Sequence, residues 1–214
     1  MKRFFTVFLA VLTAFTAAGC IQEQVTQTLY ISPSGLVWSV LEKDVRSDES
    51  ELAKRVLEEQ KFVLAADAGT HGPAEFLRTV GAQSVKTTWL RRERPYTLMT
   101  EGRFTDLRQL ALAVLRDSKV GGDATLAREG CQTRFTLDVD LTTAPDESPK
   151  DGPLGDLLED LKNYRIVLTE GHFVSADGFD IGDGMIAVPD AKKKVEGGTL
   201  RLALVWADDG CPAK

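Results

Sequence analysis

The sequence predicts an α+β domain in which a mainly antiparallel sheet packs with two longer helices and one or two short ones. Strand-like segments come in consecutive pairs joined by short, turn-rich connections, as expected of antiparallel hairpins. Helix-like segments interrupt them without a regular β–α–β rhythm. In segment 131–142 apolar and polar residues alternate strictly, which is typical of a strand with one face in water.

The first predicted element is a β-hairpin. Segment 22–31 has apolar residues on alternate positions, the Ser-Pro-Ser-Gly stretch at 32–35 is typical of a turn, and segment 36–45 is again strand-like. Serines and acidic residues at 47–51 predict an N-cap and an acidic first turn. The helix that they begin is expected to run to about Ala66.

The middle of the chain is predicted to contain two helices and a second pair of strands. A short helix is expected for residues 73–80, followed by strands at 83–91 and 96–104. Thr105 or Asp106 then caps a second long helix. Its apolar stripe consists of Leu107, Leu110, Ala111, Val114 and Leu115.

The last part of the chain is predicted to be mostly strand. A hairpin is expected from segments 123–129 and 131–142, then a polar, proline-broken loop over 143–153 and a short helix over 154–161. The remaining predicted strands lie near 164–170, 171–177, 184–188 and 198–207. The chain shows no internal repeat, and a subdivision near residue 120 is only weakly marked.

The first twenty residues have the order of an export leader. Lys2 and Arg3 precede an apolar run at 4–12, and small residues then lead to Cys20. A helix that spans a bilayer needs about 20 mostly apolar residues, so this run is short for a permanent span. A leader over residues 1–19 and a single domain over 20–214 are therefore predicted.

The stretch Ala17-Ala18-Gly19-Cys20 resembles the lipobox of bacterial lipoproteins, although the usual first residue of that motif is leucine. The resemblance implies that the Cys20 thiol receives a diacylglyceryl group, that cleavage precedes it, and that the new terminus is acylated, for example with palmitate. Several acyl chains together hold a protein on a bilayer. Because residue 21 is Ile rather than Asp, the resemblance favours the outer membrane. An ordinary secretory signal and an uncleaved anchor are the alternatives.

Beyond the leader, the chain has a general similarity to α+β envelope lipoproteins, and this similarity assigns no residue a role.

With Cys20 lipidated, Cys131 and Cys211 form an even pair in an oxidising compartment, which predicts a disulfide. Two separate buried thiols are the alternative. The chain has no Cys-x-x-Cys motif, so neither thiol redox chemistry nor a zinc site is predicted.

The charge of the chain argues against nucleic acid as a partner. It has 26 basic and 32 acidic residues, and the loss of Lys2 and Arg3 with the leader would move its formal net charge from −6 to −8.

No nucleophile elbow, phosphate loop or dinucleotide fingerprint occurs, so no enzyme activity and no cofactor are predicted. His71 and His172 have no partner at metal-ligand spacing and are expected to be ordinary surface or turn residues.

Two short stretches are candidate ligand sites. Asp177, Asp180 and Asp183 recur among glycines and could offer oxygen ligands to calcium, although the spacing is not that of an EF-hand. The alternative is a pair of acidic turns between strands.

The second candidate is a cluster of cations in an acidic chain. Arg91, Arg92 and Arg94 lie between Trp89 and Tyr96 and could bind a phosphate or carboxylate group. A solvated strand end whose arginines pair with nearby acids is the alternative.

The function predicted from these features is a membrane-anchored envelope lipoprotein with a non-catalytic binding or structural role toward a protein or envelope component. A carrier or sensor of a lipid or small amphiphile is the first alternative. An envelope hydrolase is the second, and it would need a nucleophile, a base and oxyanion donors that converge in space.

Overall fold

The computed structural model describes residues 21–142, 163–190, 193, 195, 197–209 and 211. The predicted leader, the loop over 143–153 and the short helix over 154–161 therefore lie outside the described residues. The described part contains eleven strands and three helices. The strands are β1 Ile21–Ser32, β2 Gly35–Ser47, β3 Ser84–Arg91, β4 Tyr96–Phe104, β5 Gly121–Glu129, β6 Gln132–Asp140, β7 Tyr164–Leu168, β8 His172–Asp177, β9 Phe179–Gly182, β10 Ile186–Pro189 and β11 Thr199–Ala207. The helices are α1 Leu52–Ala68, α2 Gly72–Thr79 and α3 Leu107–Asp117.

The strands form two sheets. The larger has the order β3-β4-β2-β1-β7-β10-β9, and the smaller has the order β5-β6-β11-β8. Every pairing is antiparallel except that of β1 with β7, in which Gln27–Ile31 runs parallel to Tyr164–Leu168. The predicted α+β class with a mainly antiparallel sheet is confirmed.

The start of α1 differs from the prediction. Ser47 is the last residue of β2, and the helix begins at Leu52 after Glu51, whose extended backbone carries no side-chain cap. Ser47 lies too far before Leu52 to cap the helix, and its hydroxyl instead accepts a hydrogen bond from the Glu49 amide and donates one to Glu58. The local signal was right about the presence of a helix and wrong about its first turn.

The predicted cap of α3 is confirmed. Asp106 has an extended backbone, and its carboxylate accepts a hydrogen bond from the Gln109 amide at 2.9 Å. This is the usual way in which a residue that precedes a helix satisfies one of its free amides.

One strand was missed. Phe179–Gly182 lies inside the acidic stretch predicted as turns, yet it pairs with β10 as strand β9. Gly178 and Asp183 at its two ends have positive φ angles of 78° and 50°, which allow the chain to turn on both sides of so short a strand. Phe179 then packs against the hydrophobic core.

The core joins residues from both sides of position 120. Leu29 and Trp38 of the larger sheet belong to the same buried cluster as Phe135 and Leu204 of the smaller sheet. The helices cover parts of the two sheets: α2 packs on β3 and β4, and α3 packs on β5.

The predicted disulfide joins Cys131 to Cys211 across a sequence separation of 80, with the Cα atoms 5.8 Å apart. Closing a loop of this length restricts the unfolded chain, so replacing both cysteines by serine should lower the free energy of unfolding by about 4 kcal/mol. Urea unfolding would measure the change, and the unaltered protein under reducing conditions is the control. An unchanged unfolding midpoint would contradict this prediction.

Candidate functional site

A buried polar cluster lies in the larger sheet, on the face that α1 and α2 cover. Its centre is Glu42 of β2, whose side chain is 0% exposed. Along β2 the inward positions are Leu36, Trp38, Val40 and then Glu42, so the period of the strand carries a carboxyl group into the interior. An ionisable group in such a place needs partners, because burial penalises its charged form.

Irregular pairing brings a second carboxyl group to this place. The register between β1 and β2 shifts between Gln22 and Gln24, and the register between β2 and β4 shifts between Glu42 and Val45. Asp44 has a φ angle of 54° at this point. A bulge of this kind re-aims side chains locally. Glu23, on the irregular stretch of β1, lies close enough to Glu42 for the two carboxyl groups to interact electrostatically.

The third member of the cluster is His71, in the turn between α1 and α2. Gly69 ends α1 in a left-handed conformation and α2 begins at Gly72, directly after His71, so the chain between the helices turns sharply. Nε2 of His71 lies 2.9 Å from Oγ1 of Thr100 and 3.4 Å from Oε2 of Glu42. The side chain is buried, so the expectation that His71 is an ordinary surface or turn residue was wrong about its exposure.

Several polar atoms of this cluster lack a well-aligned partner. Neither carboxyl oxygen of Glu42 makes a hydrogen bond of good geometry, and Nδ1 of His71 is also without one. Thr100 is better satisfied, since its hydroxyl also lies 3.3 Å from that of Thr87 on β3. Buried polar groups are almost always hydrogen-bonded, so these exceptions need an explanation.

Burial also shifts the protonation of these groups. Burial raises the pKa of the Glu42 carboxyl, and burial together with the nearby Glu42 raises the pKa of Glu23. Burial lowers the pKa of His71 from 6.5 to about 4. The negative charge of Glu23 acts in the opposite direction, because it favours the protonated imidazole. Two carboxyl groups at close quarters cannot both ionise in a low-dielectric interior. The cluster therefore retains protons at pH values where exposed glutamates have lost theirs.

The arrangement does not have the geometry of a catalytic triad. In a triad the acid holds one imidazole nitrogen and the nucleophile contacts the other. Here Glu42 and Thr100 both approach Nε2 of His71, and the Thr100 side chain is fully buried. What the cluster can do is bind protons and, when they are bound, connect β1, β2 and β4 with the turn before α2.

The predicted arginine cluster lies at the end of the same sheet, where α1 packs. Arg94 Nε donates to Glu59 of α1 at 2.8 Å, and Arg92 pairs with Asp67 of α1. Arg92 also lies over the ring of Trp89, 5.6 Å from its centroid. Two of the three guanidinium groups thus face carboxylates of the same chain, and Arg91 donates to the Arg94 carbonyl. Anion binding at Arg91, Arg92 and Arg94 stays a prediction.

The predicted calcium ligands are distributed over a strand end, a strand and a turn. Asp177 ends β8 and forms an ion pair with Lys193, Asp180 lies in β9, and Asp183 lies in the turn before β10. Within the described residues no group of three or more His, Cys, Asp or Glu is arranged to hold a metal ion. The calcium site stays a prediction.

Cys20, the predicted lipidation residue, lies outside the described residues.

Local sequence patterns did not predict this cluster, which consists of the buried Glu42, His71 and Thr100 and the half-buried Glu23. A signal existed for one of them, because Glu42 occupies a position that the apolar alternation of β2 assigns to the interior. The meeting of Glu23 with His71 depends on a bulge and on the packing of a turn, which leave no local pattern.

None of the helices in the described residues is long and apolar enough to cross a membrane.

No protein-family model matches the chain, and a search of curated proteins finds no relative. Among solved structures, the folded domain of the Mycobacterium tuberculosis protein LppM, determined by NMR, is similar over 88% of this chain and 91% of that one. The identity is 13% and the TM-score is 0.39, values too low for the likeness to carry an argument about fold or function.

Proposed function

We propose that this protein is an exported lipoprotein of the cell envelope, anchored through Cys20, whose domain has a non-catalytic binding or structural role. The observation that carries the proposal is the ordered leader, in which Lys2 and Arg3, an apolar run and a small-residue lipobox precede the cysteine. Ile21, the residue that would follow the anchored cysteine, belongs to strand β1.

The non-catalytic part of the proposal is supported by the buried cluster. In this cluster Glu42 and Thr100 both lie near the same ring nitrogen of His71, which is not a relay from base to nucleophile.

The localisation and the partner are further parts of the proposal. Because Ile rather than Asp follows the cysteine, the outer membrane is favoured over the inner one. The partner is proposed to be a protein or another component of the envelope, and a carrier of a small amphiphile stays the alternative.

Mass spectrometry of the protein purified from membranes tests the proposal. The expected N-terminal peptide begins at residue 20 and has the added mass of a diacylglyceryl group and an acyl chain, whereas the disulfide-linked peptides of Cys131 and Cys211 are unmodified. An N-terminal peptide that retains residues 1–19, or that has an unmodified Cys20, would contradict it. Native spectra of the same sample test the carrier alternative, because a bound amphiphile adds mass that denaturation removes.

A further inference from the structure

The two faces of the larger sheet have different surroundings. Alternate residues of a strand point to opposite faces, so in β2 Trp38 lies on one face and Val37 on the other. The face of Trp38 is covered by the smaller sheet through the common buried cluster, and by α1 and α2, whose Ala66 and Leu77 pack there. The opposite face, which we call the open face, contributes no side chain to the three buried clusters of the described residues.

Apolar side chains of the open face lie side by side across neighbouring strands. Register pairing places Tyr30 of β1 between Val37 of β2 and Val167 of β7. Ile186 of β10 follows on the far side of Val167. Tyr30 is 38% exposed, and the other three are partly exposed. Contiguous apolar surface of this kind marks an interaction site, whereas scattered single residues do not.

A second row, next to the apolar one, has opposite charges at its two ends. Glu101 of β4 is paired with Ser39 of β2. Arg165 of β7 is paired with Thr28 of β1, which is paired in turn with Ser39. Within the part of the chain that the structure describes, neither Glu101 nor Arg165 forms an ion pair. They cannot reach each other in one protomer, because three strand spacings of about 4.8 Å separate them.

The order of the strands makes this row complementary to itself. In the order β4-β2-β1-β7 the boundary between β2 and β1 is equally far from β4 and β7. A two-fold axis along this boundary, midway between two stacked sheets, places β4 of one protomer over β7 of its partner. Glu101 of each protomer then faces Arg165 of the other. Stacked sheets cross at about 30°, which displaces each charge by only about 4 Å, within the reach of an arginine side chain.

The open face is large enough for a stable contact between two protomers. Strands lie about 4.8 Å apart, so the seven strands of the sheet are about 34 Å wide. The residues of β4 from Met99 to Arg103 extend about 17 Å along the strand. Met99 and its register partner Leu41 add apolar surface on the other side of the charged row. The flat area is roughly 600 Å², and side-chain relief increases it toward the ~800 Å² per partner of a standard interface.

We propose that the open face is the interface of a homodimer in which two larger sheets stack face to face. This inference goes beyond the proposed function and does not depend on the lipid anchor, although anchoring in one membrane would raise the effective concentration of the protomers. The apolar row supplies contact area, and the two symmetric pairs of Glu101 with Arg165 fix the orientation. An anionic lipid surface fits less well, because Glu101 near the middle of the face would approach the headgroups.

Charge reversal tests the interface on the whole protein, purified in detergent, with analytical ultracentrifugation as the measurement of the dimer dissociation constant. Glu101→Arg and Arg165→Glu each bring like charges together at two symmetric places, so each should raise this constant about 100-fold. The Glu101→Arg/Arg165→Glu protein reverses both charges and should dimerise again like the unaltered protein. Glu129→Arg, at an exposed site on β5, is the matched control and should leave the constant unchanged. Near-ultraviolet circular dichroism of each variant shows that a change in association does not come from a loss of fold.

The double variant gives the most specific result. The two side chains are about 14 Å apart in one protomer, beyond the screening length at physiological salt, so they cannot compensate each other there. An unaltered protein that sediments as a monomer up to about 100 μM would overturn the proposal. Equal constants for all variants, or single-variant weakening that the double variant does not reverse, would overturn it as well. A monomer that binds anionic vesicles, and loses this binding with Arg165→Glu, would overturn it in favour of a lipid surface.

Discussion

Cys20→Ser is expected to stop maturation completely, so that only the full-length precursor accumulates. A hydroxyl group does not replace the thiol as the acceptor of the diacylglyceryl group, because the thiolate is the far better nucleophile. By the lipobox resemblance, cleavage follows this modification. The variant should therefore keep residues 1–19 and lack acyl chains, which immunoblotting and mass spectrometry of membrane and soluble fractions would show.

Two matched variants make the result specific. Ala17→Leu gives the leader the usual first residue of a lipobox and should be processed at least as completely as the unaltered protein. Cys131→Ser removes a different cysteine and should leave processing intact, although it breaks the disulfide. Normal maturation and membrane attachment of the Cys20→Ser protein would refute the lipobox interpretation.

The second large effect is expected in the dependence of stability on pH. The pKa values of Glu23 and Glu42 are raised above the ordinary value of 4.5, so the folded state holds protons that the unfolded chain releases. Their contribution to stability is complete below about pH 4.5 and is lost as the pH rises through the folded-state values. The pKa of His71 is lowered from 6.5 to about 4, so its contribution is present above pH 6.5 and is lost as the pH falls toward 4.

These contributions combine into one trend. Between about pH 4.5 and 6.5 the contribution of the carboxyl pair falls while that of the histidine rises, so the two changes partly offset each other, whereas above pH 6.5 only the carboxyl contribution changes. The free energy of unfolding should therefore fall by about 1 kcal/mol per pH unit above pH 6.5, and less steeply between pH 4.5 and 6.5. Two charges on α2 also affect the pKa of His71: that of Arg78 lowers it, and that of Glu75 raises it.

Glu42→Gln isolates the cause, because it removes a titratable group and keeps the shape and neutrality of the protonated side chain. We expect this variant to be as stable as the unaltered protein near pH 5, more stable than it at pH 8, and to have about half the pH slope. Glu129→Gln, at an exposed site on β5, is the control and should retain the full slope. Urea unfolding at a series of pH values measures all three proteins, and parallel slopes for the Glu42→Gln protein and the unaltered one would contradict the assignment.

Much of the secondary structure was predictable because its signals are local. The hairpin of β1 and β2, the strands β3 and β4, and the Asp106 cap of α3 follow from alternation, turn residues and capping chemistry within short windows. Strand β9 was not predictable in this way, since its four residues are rich in the Asp and Gly that favour turns. Its strand conformation depends on the partner β10 and on the burial of Phe179.

The sequence by itself determined the α+β class, the order of most elements and the pairing of Cys131 with Cys211 as the expected disulfide, and it predicts the leader with its lipobox. These depend on short-range pattern or on composition. Only the tertiary structure decided that the half-buried Glu23 meets the buried Glu42 and His71 and that several leucines of α1 face water. A helical period says that apolar residues share a side, but the neighbouring elements decide whether that side is covered. In α1 the buried residues are Glu59 and Ala66, whereas Leu52, Leu57 and Leu64 are exposed.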